Sequence, residues 1–354
     1  MSTQLPLEVC KRIVEHLQPM YDNPALAALA RTSRTLHPMV EQHLYSALYL
    51  IGTRTLHAIL HAFTSRPIRA SYPRQMFIRP SERERTPQAY WSQLSEILRL
   101  GGADLELLCI VGNDSESASA SWVLRSLRNM HGRLNVLRVP FWWDTEVVGF
   151  LESDSARSVT RLETGDVPGI ALGAQQMPSA LTLHRDAAAN LTMVEAPPAA
   201  LCLLVPGRPV THVRLRLGPA TTLQTLPPAI HLLKECLVRS SAVHGVIALD
   251  LGDLTSAHPL ETYSIEVLEL APSFLPHLKF IGTINFPWTK DIPVCPPDPV
   301  PVSFYSHVLI PGHPYLQTTP PSCRSLCARV RCEPHTPASW YLLGTCYGLG
   351  VSYL

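Results

Sequence analysis

Apolar residues recur at two different periods along this chain, and the change of period divides it. Over residues 5–48 they fall mostly four apart: Val9, Ile13 and Leu17, then Leu26 and Leu29, then Leu36, Val40 and Leu44. Steps of three and four keep residues on one helical face, so this stretch predicts three short amphipathic helices. Pro6 suits a first helical turn, where its missing N–H costs nothing. Glu8 complements the positive end of the helix dipole, and Asp22-Asn23-Pro24 is a cap-and-turn signal for the second helix. Next, residues 55–63 read as a helix on Leu56, Ile59, Leu60 and Phe63, and Met76-Phe77-Ile78 as a short apolar run. Beyond about residue 91 strand-like runs return every few tens of residues. They are Leu105–Val111, Leu134–Val139, Val159–Glu163, Leu191–Glu195, Val210–Leu217, Val246–Leu251 and Leu278–Ile284. Many alternate apolar and polar residues, as a half-buried strand does. Helical patterns lie between several of them, at 90–100 (Leu94, Ile97, Leu98), 121–130 (Val123, Leu124, Leu127) and 228–238 (Ile230, Leu233, Leu237).

Helix, tight turn, short L-x-x-L-like strand and helix again, at spacings of roughly 25 to 35 residues, resembles a leucine-rich-repeat solenoid. Stacking such units sets the strands on one concave face suited to gripping another protein. The spacing is irregular, and Asn113 is the one good candidate for the usual Asn ladder position. A doubly wound α/β domain produces the same alternation. The expected fold class is therefore an α+β or α/β solenoid: an N-terminal three-helix bundle followed by an irregular leucine-rich-repeat-like array. The expected divisions are 1–50 for the helices, 51–90 for a linking segment, 91–292 for the substrate-binding repeat region and 293–354 for a tail. Within the repeat region, Pro140-Phe141-Trp142-Trp143-Asp144 follows a strand run. Trp142 and Trp143 are candidates for substrate contact at the rim of the array, or for a local ring cluster under a loop.

The helical stretch carries a more specific pattern. It holds Leu5-Pro6, Glu8-Val9, Ile13, Leu17, the acidic Asp22, Leu26 and Leu29 as an L-x-x-L pair, and Ser33-Arg34. These residues resemble an F-box. The ending, S-R-T-L-H-P followed by L-Y-S-A-L-Y-L, is similar to the F-box-like domains of mushroom-forming fungi. One departure is Thr35-Leu36 where many F-boxes place a Trp. The resemblance implies docking on a Skp-family adaptor and, through it, on a cullin-RING ubiquitin ligase. Leu5, Pro6, Val9, Ile13, Leu17, Leu26, Leu29 and Ser33 are the implied partner-binding residues. Some of them must instead hold the helices together, because three helices over so few residues bury little core of their own.

Composition narrows the remaining choices. Of 354 residues, 46% are hydrophobic and 16% charged, with a net charge of +1. Most of the chain should therefore fold, and it lacks the basic excess that general nucleic-acid binding needs. No apolar run reaches the length of about 18 residues that spans a membrane, and Glu8 and Lys11-Arg12 stand where a secretory signal would be apolar. Nine scattered cysteines fit a reducing compartment, so a cytoplasmic or nuclear location is expected. The mixed charges at 81–86 read as a solvated loop. The tail is rich in Pro and Cys and is expected to be of low order, since Pro-rich segments pair few backbone groups. Cys323, Cys327, Cys332 and His335 could be drawn as a zinc site, but their spacing does not match a C-x-x-C knuckle, so no metal or cofactor is expected. A nucleophile elbow, a phosphate loop, a metalloprotease helix and a dinucleotide fingerprint are all missing from the sequence. The expected function is a non-enzymatic substrate adaptor of a ubiquitin ligase. The rivals are an interaction scaffold that has lost the adaptor and an α/β enzyme with an N-terminal helical cap.

Overall fold

The computed structural model describes residues 6–19, 21–80, 88–112, 118–128, 133–165, 181–216, 233–250, 271 and 273–282, with strand backbone at 305–309, 326–329 and 341–345. Leu5, the 81–86 segment, Asn113 and three of the four residues of the drawn zinc set (Cys323, Cys332, His335) lie outside these. The chain falls into two compact units, Met1–Gly169 with Gln176–Leu191, and Ile170–Gln175 with Thr192–Leu354. Both are mixed helix and strand, built on open parallel sheet.

The first unit begins with helices α1 (Leu7–His16), α2 (Asn23–Thr32) and α3 (His37–Ser46). Val14, Leu26 and Val40 form their shared core, and Leu17, Leu29, Leu36, Met39 and Leu44 pack around it. Two histidines pin the helices. The His43 ring meets the Leu17 carbonyl at 2.6 Å and the His37 ring meets the Ala30 carbonyl at 3.1 Å. The helices do not stand apart from the sheet, because α3 leads directly into strand β1 (Ala47–Ile51). Buried Glu41 on α3 accepts from Arg69 Nε at 2.8 Å, as a buried carboxylate must find a partner. The same guanidinium lies 5.3 Å from the Tyr45 ring centroid.

Strands β1, β2 (Gln75–Arg79), β3 (Leu107–Ile110), β4 (Val136–Arg138) and β5 (Arg161–Glu163) follow, all parallel and adjacent in chain order. Their register aligns Leu48, Met76, Leu108, Leu137 and Leu162 in one row, and every member is buried. Side chains alternate faces along a strand, so the neighbours of this row lie on the opposite face of the sheet, where most of them are at least partly exposed. The crossovers are helix α4 (Gly52–Ser65), helix α5 (Gln88–Gly101), a 3-10 helix at Ser121–Leu127 and helix α6 (Thr145–Leu151) with a 3-10 turn at Asp154–Ala156. Each packs against the next in chain order. Gly52, at a φ of 68°, makes the tight turn from β1 into α4.

The second unit repeats the plan. Strands β6 (Met193–Ala196), β7 (His212–Leu215), β8 (Ala248–Asp250) and β9 (Phe280–Gly282) are parallel in chain order. Helix α7 (Pro198–Leu204) follows β6, and residues 233–237 are helical before β8. Val194, Val213 and Leu249 make the buried row. Arg208 is itself buried, and it donates to the carbonyls of Leu203 (2.9 Å), Leu204 (3.3 Å) and Pro206 (3.3 Å). These include carbonyls that the C-terminal end of α7 leaves unpaired. Burial pushes its guanidinium down to about 10. In the tail, β10 (Tyr305–Leu309), β11 (Leu326–Arg329) and β12 (Tyr341–Thr345) run antiparallel in the order β9-β10-β12-β11. The Pro-rich sequence gave no reason to expect these strands.

A single motif recurs through both units. Leu105, Leu108 and Ile110 are buried, as are Leu134, Leu137 and Val139, and Val159, Leu162 and Thr164. Leu191, Val194 and Ala196 repeat the spacing, as do Val210, Val213 and Leu215. The residue after the first apolar position offers one carbonyl to two successive N–H groups of the next strand. The Glu106 carbonyl takes Asn135 and Val136, the Asn135 carbonyl takes Thr160 and Arg161, the Thr192 carbonyl takes Thr211 and His212, and the Thr211 carbonyl takes Ile247 and Ala248. Every expected strand run is thus present, but each strand starts two residues late. The first apolar residue of the run is buried in the turn that precedes the ladder.

One expectation is corrected by packing. The helix at 121–130 is a 3-10 helix over Ser121–Leu127, because a three-residue period turns Leu124 and Leu127 to the same buried side. The aromatic run at 140–144 leads into α6, whose N-cap is Asp144. The Asp144 carboxylate accepts from Glu146 N at 2.9 Å and Val147 N at 3.0 Å.

Two outcomes follow. Leu137→Ala opens a cavity in the middle of the buried row and should cost about 2–5 kcal/mol in urea unfolding. Glu146 gives the second. Hydrogen bonding from Arg125, with added charge from Arg128, holds its carboxyl below the ordinary range. A depressed carboxylate contributes stability that is full above the unfolded pKa of about 4.3 and is lost as pH falls through the folded value. The difference between the urea midpoints of wild type and Glu146→Gln should therefore narrow below about pH 4.3. A difference independent of pH would contradict the pairing.

Candidate partner-binding surfaces

The eight partner-binding candidates divide between surface and core. Val9 and Ile13 are exposed, at 41% and 44%, and Leu7 beside them reaches 49%. Pro6, the N-cap of α1, is exposed as well. Val14 is 2% exposed. Ile13 and Val14 are about 100° apart around the helix, so α1 carries more apolar stripe than its own core consumes. Leu17, Leu26 and Leu29 belong to the core of the three helices. Ser33 caps the C-terminus of α2 and accepts from Thr35 N at 3.2 Å, so it shapes a turn. Leu5 lies outside the described residues. The sequence grouped all eight without separating these roles, and it missed Leu7 and the 70% exposed Tyr21.

The outward face of the sheet is the second surface. In the first unit, Tyr49 stacks on Phe77 with ring centroids 4.9 Å apart. Ile51 and Val111 stand exposed near them, at 53% and 48%. Along the same register row the chemistry turns charged, from Cys109 to Arg138 and Glu163, which pair with each other. The second unit has its own charged row. Arg214 lies 3.5 Å from Glu195 and 3.2 Å from Asp250, on strands in direct register. Tyr49 and Phe77 precede residue 91, so they lie before the limits expected for the repeat region. The signal was present in the alternation of Leu48, Tyr49 and Leu50.

Trp142 and Trp143 divide too. Trp143 is fully buried and its indole donates to the Leu181 carbonyl at 3.1 Å, so its ring belongs to the interior. Trp142 is half-buried, and of the two it alone keeps exposed area. Phe141 joins the buried rings, with Trp91 edge-on at 6.0 Å.

Titratable groups are spread out. Among the described residues no three His, Cys, Asp or Glu side chains converge as metal ligands would. A shallow depression in the second unit, lined by Val238, His244, Phe274 and His277 among others, sets two imidazoles edge to face at 5.4 Å with no acid in its lining. Burial lowers the pKa of His212, which sits on β7. No described helix is long and apolar enough to cross a membrane. Comparison with known proteins found no matching family model, no curated protein similar in sequence and no solved structure similar in fold.

The division of α1 predicts opposite responses at adjacent positions. Ile13→Asp, on the exposed flank, should leave helical circular dichroism intact and change stability by about 0.5 kcal/mol or less. Val14→Asp buries an unpaired charge and should unfold the three helices. Equal damage from both would contradict the assignment.

Proposed function

We propose that this chain is a non-enzymatic, F-box-like substrate adaptor. Helices α1 to α3 dock on a Skp-family adaptor, which joins the chain to a cullin-RING ubiquitin ligase. The outward face of the sheet holds a protein substrate, and the chemistry of ubiquitin transfer belongs to other subunits. One observation carries this reading: the apolar flank of α1, with Leu7, Val9 and Ile13 exposed, on three helices whose residues resemble an F-box. An adaptor that covers this flank finishes the burial that the helices leave incomplete.

The body supports the reading in its finer form, a leucine-rich-repeat-like solenoid. The strands are adjacent in chain order within each unit, whereas a doubly wound sheet reverses its order at a switch point. The buried positions follow an L-x-x-L-x-L spacing. Aromatic and charged residues in rows across such a face suit recognition of a protein. A cytoplasmic or nuclear location is part of the proposal.

Co-purification with a Skp-family adaptor tests it. Wild type should bind, and a Val9→Asp/Ile13→Asp double variant should lose binding by about 100-fold or more while its circular dichroism stays unchanged. A folded wild-type protein that does not bind would overturn the ligase assignment and leave the scaffold reading in its place.

A further inference from the structure

The outward face of the first unit has two ends of different chemistry, placed by the strand register. At one end Tyr49 on β1 stacks on Phe77 on β2, and Ile51 is exposed two places after Tyr49. Arg79, two places after Phe77, is exposed and in register with Ile51. At the other end Arg138 on β4 pairs with Glu163 on β5. Arg161, two places before Glu163, is exposed and enters no ion pair among the described residues. The charged residues at the outward positions of β1 to β5 are thus Arg79, Arg138 and Arg161 against Glu163, an excess of two positive charges (three minus one). The turns before the strands leave this excess standing. Arg74 lies 3.5 Å from Asp104 there, and Glu106 offsets Arg133. The whole chain has a net charge of only +1, so the positive charge on this face is a local feature.

We propose that this face takes an extended, acidic protein segment that carries one large apolar side chain. The proposal rests on the reading of the sheet face as the substrate-holding surface, and it specifies the substrate. The stacked rings of Tyr49 and Phe77 form an apolar platform, and an apolar side chain laid on it leaves water. Carboxylates of the same segment meet Arg79 and Arg161, whose planar guanidinium groups accept them in two-pronged hydrogen bonds. The register sets the spacing. Residues two apart on a strand are about 7 Å apart and neighbouring strands about 4.8 Å apart. Arg79 therefore lies about 7 Å from Phe77, and Arg161, three strands across and one row back, about 16 Å away on the other side. An extended segment advances about 3.3 Å per residue. One acidic residue about two places to one side of the apolar residue, and another about five places to the other, reach both arginines. A basic segment meets repulsion at the same positions.

The test is fluorescence anisotropy of the full chain with a labelled peptide of glutamates around one central phenylalanine. It should bind about 10-fold or more tightly than the same peptide with alanine at the centre, or with lysines in place of the glutamates. Raising the salt from about 50 to about 500 mM should weaken it several-fold. Tyr49→Ala and Arg161→Glu change exposed side chains. Each should lower the affinity about 5-fold or more with circular dichroism unchanged. Equal affinity for the three peptides, or binding that both variants keep, would overturn the proposal. So would a wild-type dimer in sedimentation that Tyr49→Ala dissociates, since a second copy would then occupy the face. The peptide comparison uses the wild type alone and decides the matter even if a variant fails to fold. No Skp-family adaptor is present in this assay. Failure here leaves adaptor docking standing, and failure of adaptor co-purification leaves the peptide preference to the scaffold reading.

Discussion

The body of this protein depends on one carbonyl shared between two N–H groups at the start of successive strands, among them β4, β5, β7 and β8. The Glu106, Asn135, Thr192 and Thr211 carbonyls all do this. Sharing in this way fixes where the next strand begins, because a backbone donor left unpaired in the interior is costly. It also fixes which side chains go inside. With the turn set, the residue before the shared carbonyl points inward, and so do those two and four places after it. Leucine, valine and isoleucine fill most of those places, Thr164 and Ala196 the others. The charged rows Arg138–Glu163 and Glu195–Arg214–Asp250 then face outward by alternation alone.

The helices at the N-terminus obey a different constraint. Their core is small, and Val14, Leu26 and Val40 are its buried centre. The packing is steadied from outside by the Glu41 to Arg69 bond, which joins α3 to the turn before β2. With α3 so anchored and α1 held through His43, the exposed flank of α1 is presented on a fixed support. A preorganised apolar surface loses less freedom on binding than a mobile one. On the proposed reading, the flank rather than the sheet face is therefore the surface that an adaptor would cover.

Much of this was legible in the sequence. The four-residue steps located the three helices, and the alternating runs located seven strands, because both patterns record burial on one side. What was hidden had local causes. Each strand run seemed to begin at its first apolar residue, yet Leu105 and its equivalents lie in turns. Helices α6 and α7 are seven residues each, too short for a period to show, and only Asp144 and Pro198 hinted at their starts. On α1 the step of four linked Val9, Ile13 and Leu17 into one stripe, although the core takes Val14 and Leu17 and leaves the other two outside.

The most direct test of the account is amide hydrogen exchange across the chain with and without a purified Skp-family adaptor. The account predicts that protection rises in residues 7–17, where the apolar flank becomes covered, while the buried strands β3 to β5 keep their exchange rates. Unchanged exchange in α1 at saturating adaptor, or protection confined to the sheet face, would contradict it.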